Sequence, residues 1–79
     1  MTHPRVKLLF PEHLVREPII ARMAREMGVM ANIRRASVDE TVGWMVCELD
    51  GDPGAVDDAV RWLEGLGIEV DRLSDVVEG

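Results

Sequence analysis

Polar and apolar positions alternate from Arg5 to Phe10, with Val6, Leu8 and Phe10 on one side, and Pro11 stops the run. That pattern predicts a half-buried strand. Pro11 to Arg16 reads as a loop. Pro18 suits the first turn of a helix, where a missing N–H costs nothing. Ile19, Ile20, Met23, Ala24 and Met27 then recur at helical spacing, opposite Arg22, Arg25 and Glu26, and Gly28 ends the helix. Val29 to about Val38 predicts a second strand, with a bulge near Arg34-Arg35 where the apolar alternation breaks. Asp39-Glu40-Thr41 is a turn. A third strand runs from about Val42 to Leu49, with Met45, Cys47 and Leu49 on one side and Trp44, Val46 and Glu48 on the other.

Asp52 then reads as a helix N-cap and Pro53 as the first helical residue. Val56, Ala59, Val60, Leu63 and Leu66 form the apolar stripe of this second helix, and Gly67 terminates it. Ile68 to Leu73 alternates as a final strand, and Ser74 to Gly79 reads as a frayed tail. The order is strand, helix, strand, strand, helix, strand. The compact solution is an α+β, ferredoxin-like βαββαβ sandwich: a four-stranded antiparallel sheet with both helices on one face. The expected core is Val6, Leu8, Phe10, Ile19 or Ile20, Met23, Met27, Val29, Ile33, Met45, Cys47, Leu49, Val56, Val60, Leu63, Ile68 and Val70. The opposite face should carry Lys7, Leu9, Asn32, Arg34, Trp44, Val46, Glu48, Glu69 and Asp71, with nothing over it.

Length fits that single domain: 79 residues leave room for one modest core. The one cysteine excludes an internal disulfide and an all-cysteine metal site within the chain. Its inward strand position makes Cys47 a small hydrophobe rather than a nucleophile. Charge is divided unevenly. Residues 1–40 carry seven basic and five acidic groups, and residues 41–79 carry two and ten, for a net −6. Nucleic acid and membrane are therefore poor partners, and no apolar run reaches the length of a membrane span. The start, Met1 to Arg5, lacks the apolar stretch of a secretory signal, so a cytoplasmic location is expected. His3 and His13 fall in predicted loops. No phosphate-cradling glycine loop or paired catalytic carboxylates occur, so the chain is expected not to be an enzyme and to need no cofactor.

Trp44 beside Leu9 and Val46 makes the uncovered face a candidate contact surface, although a Trp lying flat as a cross-strand stabiliser would look the same in sequence. An amino-acid ligand needs a carboxylate partner, an ammonium partner and a side-chain pocket. Arg34 or Arg35 offers a bidentate carboxylate clamp, Asn32 a donor and an acceptor, and Trp44 with Val46 a slot for a thioether. The arginine pair reads equally well as edge-strand charge that deters aggregation or pairs with the acidic half.

Taken together, Phe10-Pro11-Glu12, Glu17-Pro18-Ile19-Ile20, Asn32-Ile33-Arg34-Arg35-Ala36, the run Gly43 to Gly51 and Ala59-Val60-Arg61-Trp62-Leu63-Glu64 resemble the NIL domain over about residues 5–73. The family takes its name from an Asn-Ile-Leu motif, here Asn32-Ile33-Arg34. Arg34 in place of Leu, and a short Ser37–Thr41 hairpin, look like the branch fused to small ferredoxins. The resemblance implies a ferredoxin-like domain related in shape to amino-acid-sensing ACT domains. It also implies methionine binding between paired domains, with Asn32 in the site, and feedback on a methionine importer. A stand-alone sensor of methionine or a related sulfur amino acid at a homodimer interface is the function it points to. The other is an assembly module that docks to a ferredoxin, a transporter ATPase or a sulfur-metabolism enzyme without binding a ligand.

Overall fold

The computed structural model describes residues 3–73. Its elements, in order, are β1 (Arg5–Phe10), a 3-10 turn (Glu12–Leu14), α1 (Ile19–Met27), β2 (Met30–Val38), β3 (Gly43–Asp50), α2 (Pro53–Gly65) and β4 (Glu69–Arg72). The sheet order is β2-β3-β1-β4, and every neighbouring pair is antiparallel. Each βαβ unit is therefore split by a strand from the other, as the ferredoxin-like fold requires. The tail read from Ser74 to Gly79 lies outside the described residues.

Local chemistry sets the boundaries. Gly28 ends α1 in the left-handed region at φ 69°, where a side chain would be strained, and its N–H bonds to Ala24 O at 3.1 Å. At the end of α2, Ile68 N–H reaches back to Leu63 O at 3.1 Å across Gly67, at φ 101°. Asp52 does hold the N-cap position of α2, but its carboxylate makes no capping bond. The helix is held there by Val56 N–H on Asp52 O at 2.9 Å and by Pro53 in the first turn. The β2–β3 hairpin is held by Asp39, whose Oδ1 accepts from Thr41 N and Val42 N, both at 2.8 Å.

The core fills the layer between the sheet and the helices. Val6, Leu8, Met23, Val29, Cys47, Leu49, Ala59 and Leu63 have no exposed surface, and Ile19 and Ile68 almost none. Met27, Met45 and Val70 pack against this set while remaining half-buried. Ile33 departs from expectation: it is paired with Cys47 on the helix side, yet is 49% exposed. The reason is position. β2 is an edge strand, with a neighbour on one side only. Leu14 departs the other way. Its segment reads as a loop, and the 3-10 turn folds it into the core.

Candidate functional site

Register places the open face. Asn32, Glu48 and Arg5 lie in one row across β2, β3 and β1. Arg35, Val46, Lys7 and Asp71 form the next, and Ser37, Trp44, Leu9 and Glu69 the third. The β-bulge lies where the alternation breaks. Ile33 pairs with Cys47 and Arg35 with Val46, so Arg34 is the extra residue between them. Strict alternation would send Arg35 toward the helices. The extra residue instead returns it to the open face, which thus gathers Asn32, Arg34 and Arg35.

Several charges on this face are already engaged. Glu48 receives Arg5 Nη2 on Oε2 at 2.8 Å and Arg34 Nη2 on Oε1 at 3.2 Å. The bond from Arg5, followed by that from Arg34 and the positive charge of both, holds the Glu48 carboxyl below its ordinary range against the opposing effect of desolvation. Trp44 is half-buried and bracketed by cations: Lys7 Nζ lies 5.3 Å and the Arg35 guanidinium carbon 5.8 Å from its ring centre. Val46 lies in the row beside it. The exposed Asn32 amide makes no side-chain hydrogen bond to a described residue. All five sequence-predicted residues thus share one face. One of the two expected carboxylate clamps, Arg34, is turned onto Glu48.

A hollow exists elsewhere. A cavity of about 170 Å³ opens on the helix side of the sheet, between the 3-10 turn, the first turn of α1 and the start of the β2–β3 hairpin. Phe10, Leu14, Val15, Ile20, Val38 and Met45 give it apolar walls, and Glu17 stands among the residues around it. Val38 is exposed at 64%. Sequence reading missed this site, because its walls come from two stretches of chain about twenty residues apart. The apolar pair Leu14-Val15, inside a segment otherwise rich in charge, was the available signal.

Burial, reinforced by Glu48, pushes the Cys47 thiol up to about 11. His3 meets Asp50 at 3.4 Å on the surface. Among the described residues no group of three or more His, Cys, Asp or Glu is placed to hold a metal ion. No described helix is long and apolar enough to cross a membrane.

Comparison with known proteins adds the context. The profile of the NIL domain matches residues 4–72. A methionine import ATP-binding protein, MetN, from Chromohalobacter salexigens is 39% identical over 79 residues, spanning 95% of this chain and 23% of that protein. The MetN of Desulfitobacterium hafniense is 33% identical over 82 residues, spanning 95% of this chain and 24% of that protein. The chain thus covers about a quarter of the length of these relatives. Among solved structures, the C-terminal domain of an ABC transporter ATP-binding protein from Enterococcus faecalis superposes with a TM-score of 0.80 at 22% identity. That match covers 94% of this chain and 87% of that one, and speaks to the fold.

Proposed function

The chain belongs to the NIL domain family, and from that premise we propose that it is a non-enzymatic regulatory domain that binds methionine or a related sulfur amino acid between two copies of itself. Family membership across residues 4–72 is the observation that carries the reading, and the methionine import relatives supply the ligand class. The physical case for a pair comes from the open face. Asn32, Arg34, Arg35, Trp44 and Val46 share the face of the sheet away from the helices, and a small ligand needs most of its own surface covered to bind well. A second copy laid against the sheet or its edge supplies that cover. Nine-residue β2 is an edge strand with Met30, Ile33 and Val38 exposed, so it offers such an edge.

Regulation then follows by population shift: a ligand held between two protomers favours one arrangement of the pair, and a partner reads that arrangement. The importer ATPase is the first partner to test, given the relatives; a ferredoxin or a sulfur-metabolism enzyme is the next. The cytoplasm is the compartment in which such a sensor would work.

Titration calorimetry with methionine, homocysteine and cysteine tests the reading. Methionine should bind, and Asn32→Ala should weaken binding while leaving the melting temperature nearly unchanged. Absence of binding by all three at millimolar concentration, with recovery of one of the named partners in a pull-down, would give the function to ligand-free assembly. The engagement of the Trp44 ring by Lys7 and Arg35 favours that second reading.

A further inference from the structure

Arg34-Arg35-Ala36-Ser37-Val38 sets a hydroxyl after two adjacent guanidinium groups and before an aliphatic residue. Ser37 has no part in methionine binding as proposed above. The hydroxyl residues of the chain are Thr2, Ser37, Thr41 and Ser74, and Ser37 is the one with arginine both two and three positions before it. An acidic substrate groove reads such spacing. Each guanidinium takes a carboxylate bidentately, and the hydroxyl is held at a fixed reach from that anchor.

The fold leaves this segment open to a groove of that kind. Every residue from Asn32 to Val42 is exposed. β2 lies at the edge of the sheet, so one side of its backbone is unpaired, and its extended form is the one that a groove in another protein takes up. On the other side a short ladder holds it: Arg35 with Val46, Ala36 with Met45, Ser37 with Trp44 and Val38 with Gly43, between the bulge at Arg34 and the Asp39 turn. Ladder ends of this length open locally at less than the cost of global unfolding.

The same geometry suits a phosphate. Ser37 pairs with Trp44 on the open face, and Lys7 and Arg35 stand 5.3 and 5.8 Å from the centre of that ring. Arg35 is two residues from Ser37 on the same face. Of the acids around it, Asp39 has Oδ1 committed to the amides of Thr41 and Val42, and Glu69, in the row of Ser37, lies three strands away.

We propose that Ser37 is a phosphorylation site for an arginine-directed serine/threonine kinase, and that its phosphate is a charge switch on the open face. The phosphoryl donor is ATP. Ser37 Oγ attacks the γ-phosphorus, and the Oγ–P bond forms as the bond from that phosphorus to the β,γ-bridging oxygen breaks. ADP leaves, and the hydroxyl proton passes to the catalytic aspartate of the kinase. The product carries about −1.5 to −2 charge, and it draws Arg35 and Lys7 from the Trp44 ring into charge-assisted hydrogen bonds. A partner that reads this face then meets neutralised cations and an uncovered indole. Neither the site nor the switch depends on methionine binding.

The test uses the full chain, ATP and the catalytic subunit of cyclic-AMP-dependent kinase as the arginine-directed probe, with tandem mass spectrometry to locate the phosphate. The parent should gain a phosphoryl group on Ser37, and Ser37→Ala should gain none. Arg34→Gln and Arg35→Gln, both at exposed positions, should each slow transfer about tenfold or more through loss of a charge-assisted contact, with amide spectra showing that the variants stay folded. In the phosphorylated parent the indole N–H resonance of Trp44 should move. That of Trp62, which lies on α2 with Arg22 5.4 Å from its ring centre, should not. Absence of phosphate from Ser37 of the folded chain, or parental rates in both arginine variants, overturns the site. An unmoved Trp44 resonance in the phosphorylated chain overturns the switch.

Discussion

The two faces of one sheet are built from alternate residues of the same strands, yet they obey different physics. On the helix side, Val6, Leu8, Cys47 and Leu49 are fully buried, and among the described residues no buried side-chain polar atom lacks a partner. That side is held by removal of apolar surface from water. On the open side, one residue away along each strand, Arg5, Glu48, Arg34, Lys7, Trp44 and Arg35 form ion pairs and cation–π contacts at the edge of solvent. Such contacts are individually weak and screened by salt. The covered face fixes the fold, and the open face is free to specify a partner. The cavity is the exception on the covered side: a hollow left where the helices stop short of the β2–β3 hairpin.

The contrast is sharpest under substitution. Leu63→Ala, in the middle of α2 and fully buried, should cost about 2–5 kcal/mol in urea unfolding, a large share of the stability of a domain this small. Trp44→Ala removes a larger side chain from the open face and should cost distinctly less; an equal cost would erase the distinction between the faces. Cys47→Ser tests the dryness of the covered side by placing a hydroxyl where the thiol is. It should cost about 1–3 kcal/mol. The thiol itself should react with a disulfide reagent only as fast as the protein opens, because Cys47 is fully buried and that burial also raises its pKa.

A smaller effect separates the faces by pH. Glu48 has its folded-state pKa lowered below the ordinary value of 4.5 by Arg5 and Arg34. Its contribution is therefore present above the unfolded value and is lost as pH falls through the lower folded one. Melting temperature measured from neutral pH into the acid range should drop for the parent, and less steeply for Glu48→Gln. Identical slopes would mean that the two arginines do no more than decorate the surface. The smallest effect is local. Asp39→Ala removes the acceptor shared by Thr41 and Val42 and should speed amide exchange in the hairpin while leaving exchange in β1 unchanged.

Much of this division is legible in the chain. Alternation in β1 and β3 identifies both faces, because central strands are buried on one side and the pattern carries the full contrast. It fails at β2. There Ile33 looks like core by its spacing, but edge position rather than residue type decides exposure, and spacing carries no information about which strand lies at the edge. The bulge at Arg34 is visible as a break in the pattern; its result, Arg35 turned to the open face, depends on the register with β3. Leu14 reads as part of a loop because a single 3-10 turn has too few residues to show a period. The cavity was illegible for a stronger reason: it is an absence of atoms between segments 10–21 and 38–45, and no residue pattern encodes where packing stops.

The most direct test of the account is the position of the ligand's methyl group. With L-methionine labelled at its ε-methyl carbon and the parent protein, an isotope-filtered NOE experiment should show that methyl close to the indole of Trp44. Contacts to residues of the covered side alone, with none to Trp44, would move the side chain off the open face and contradict the account.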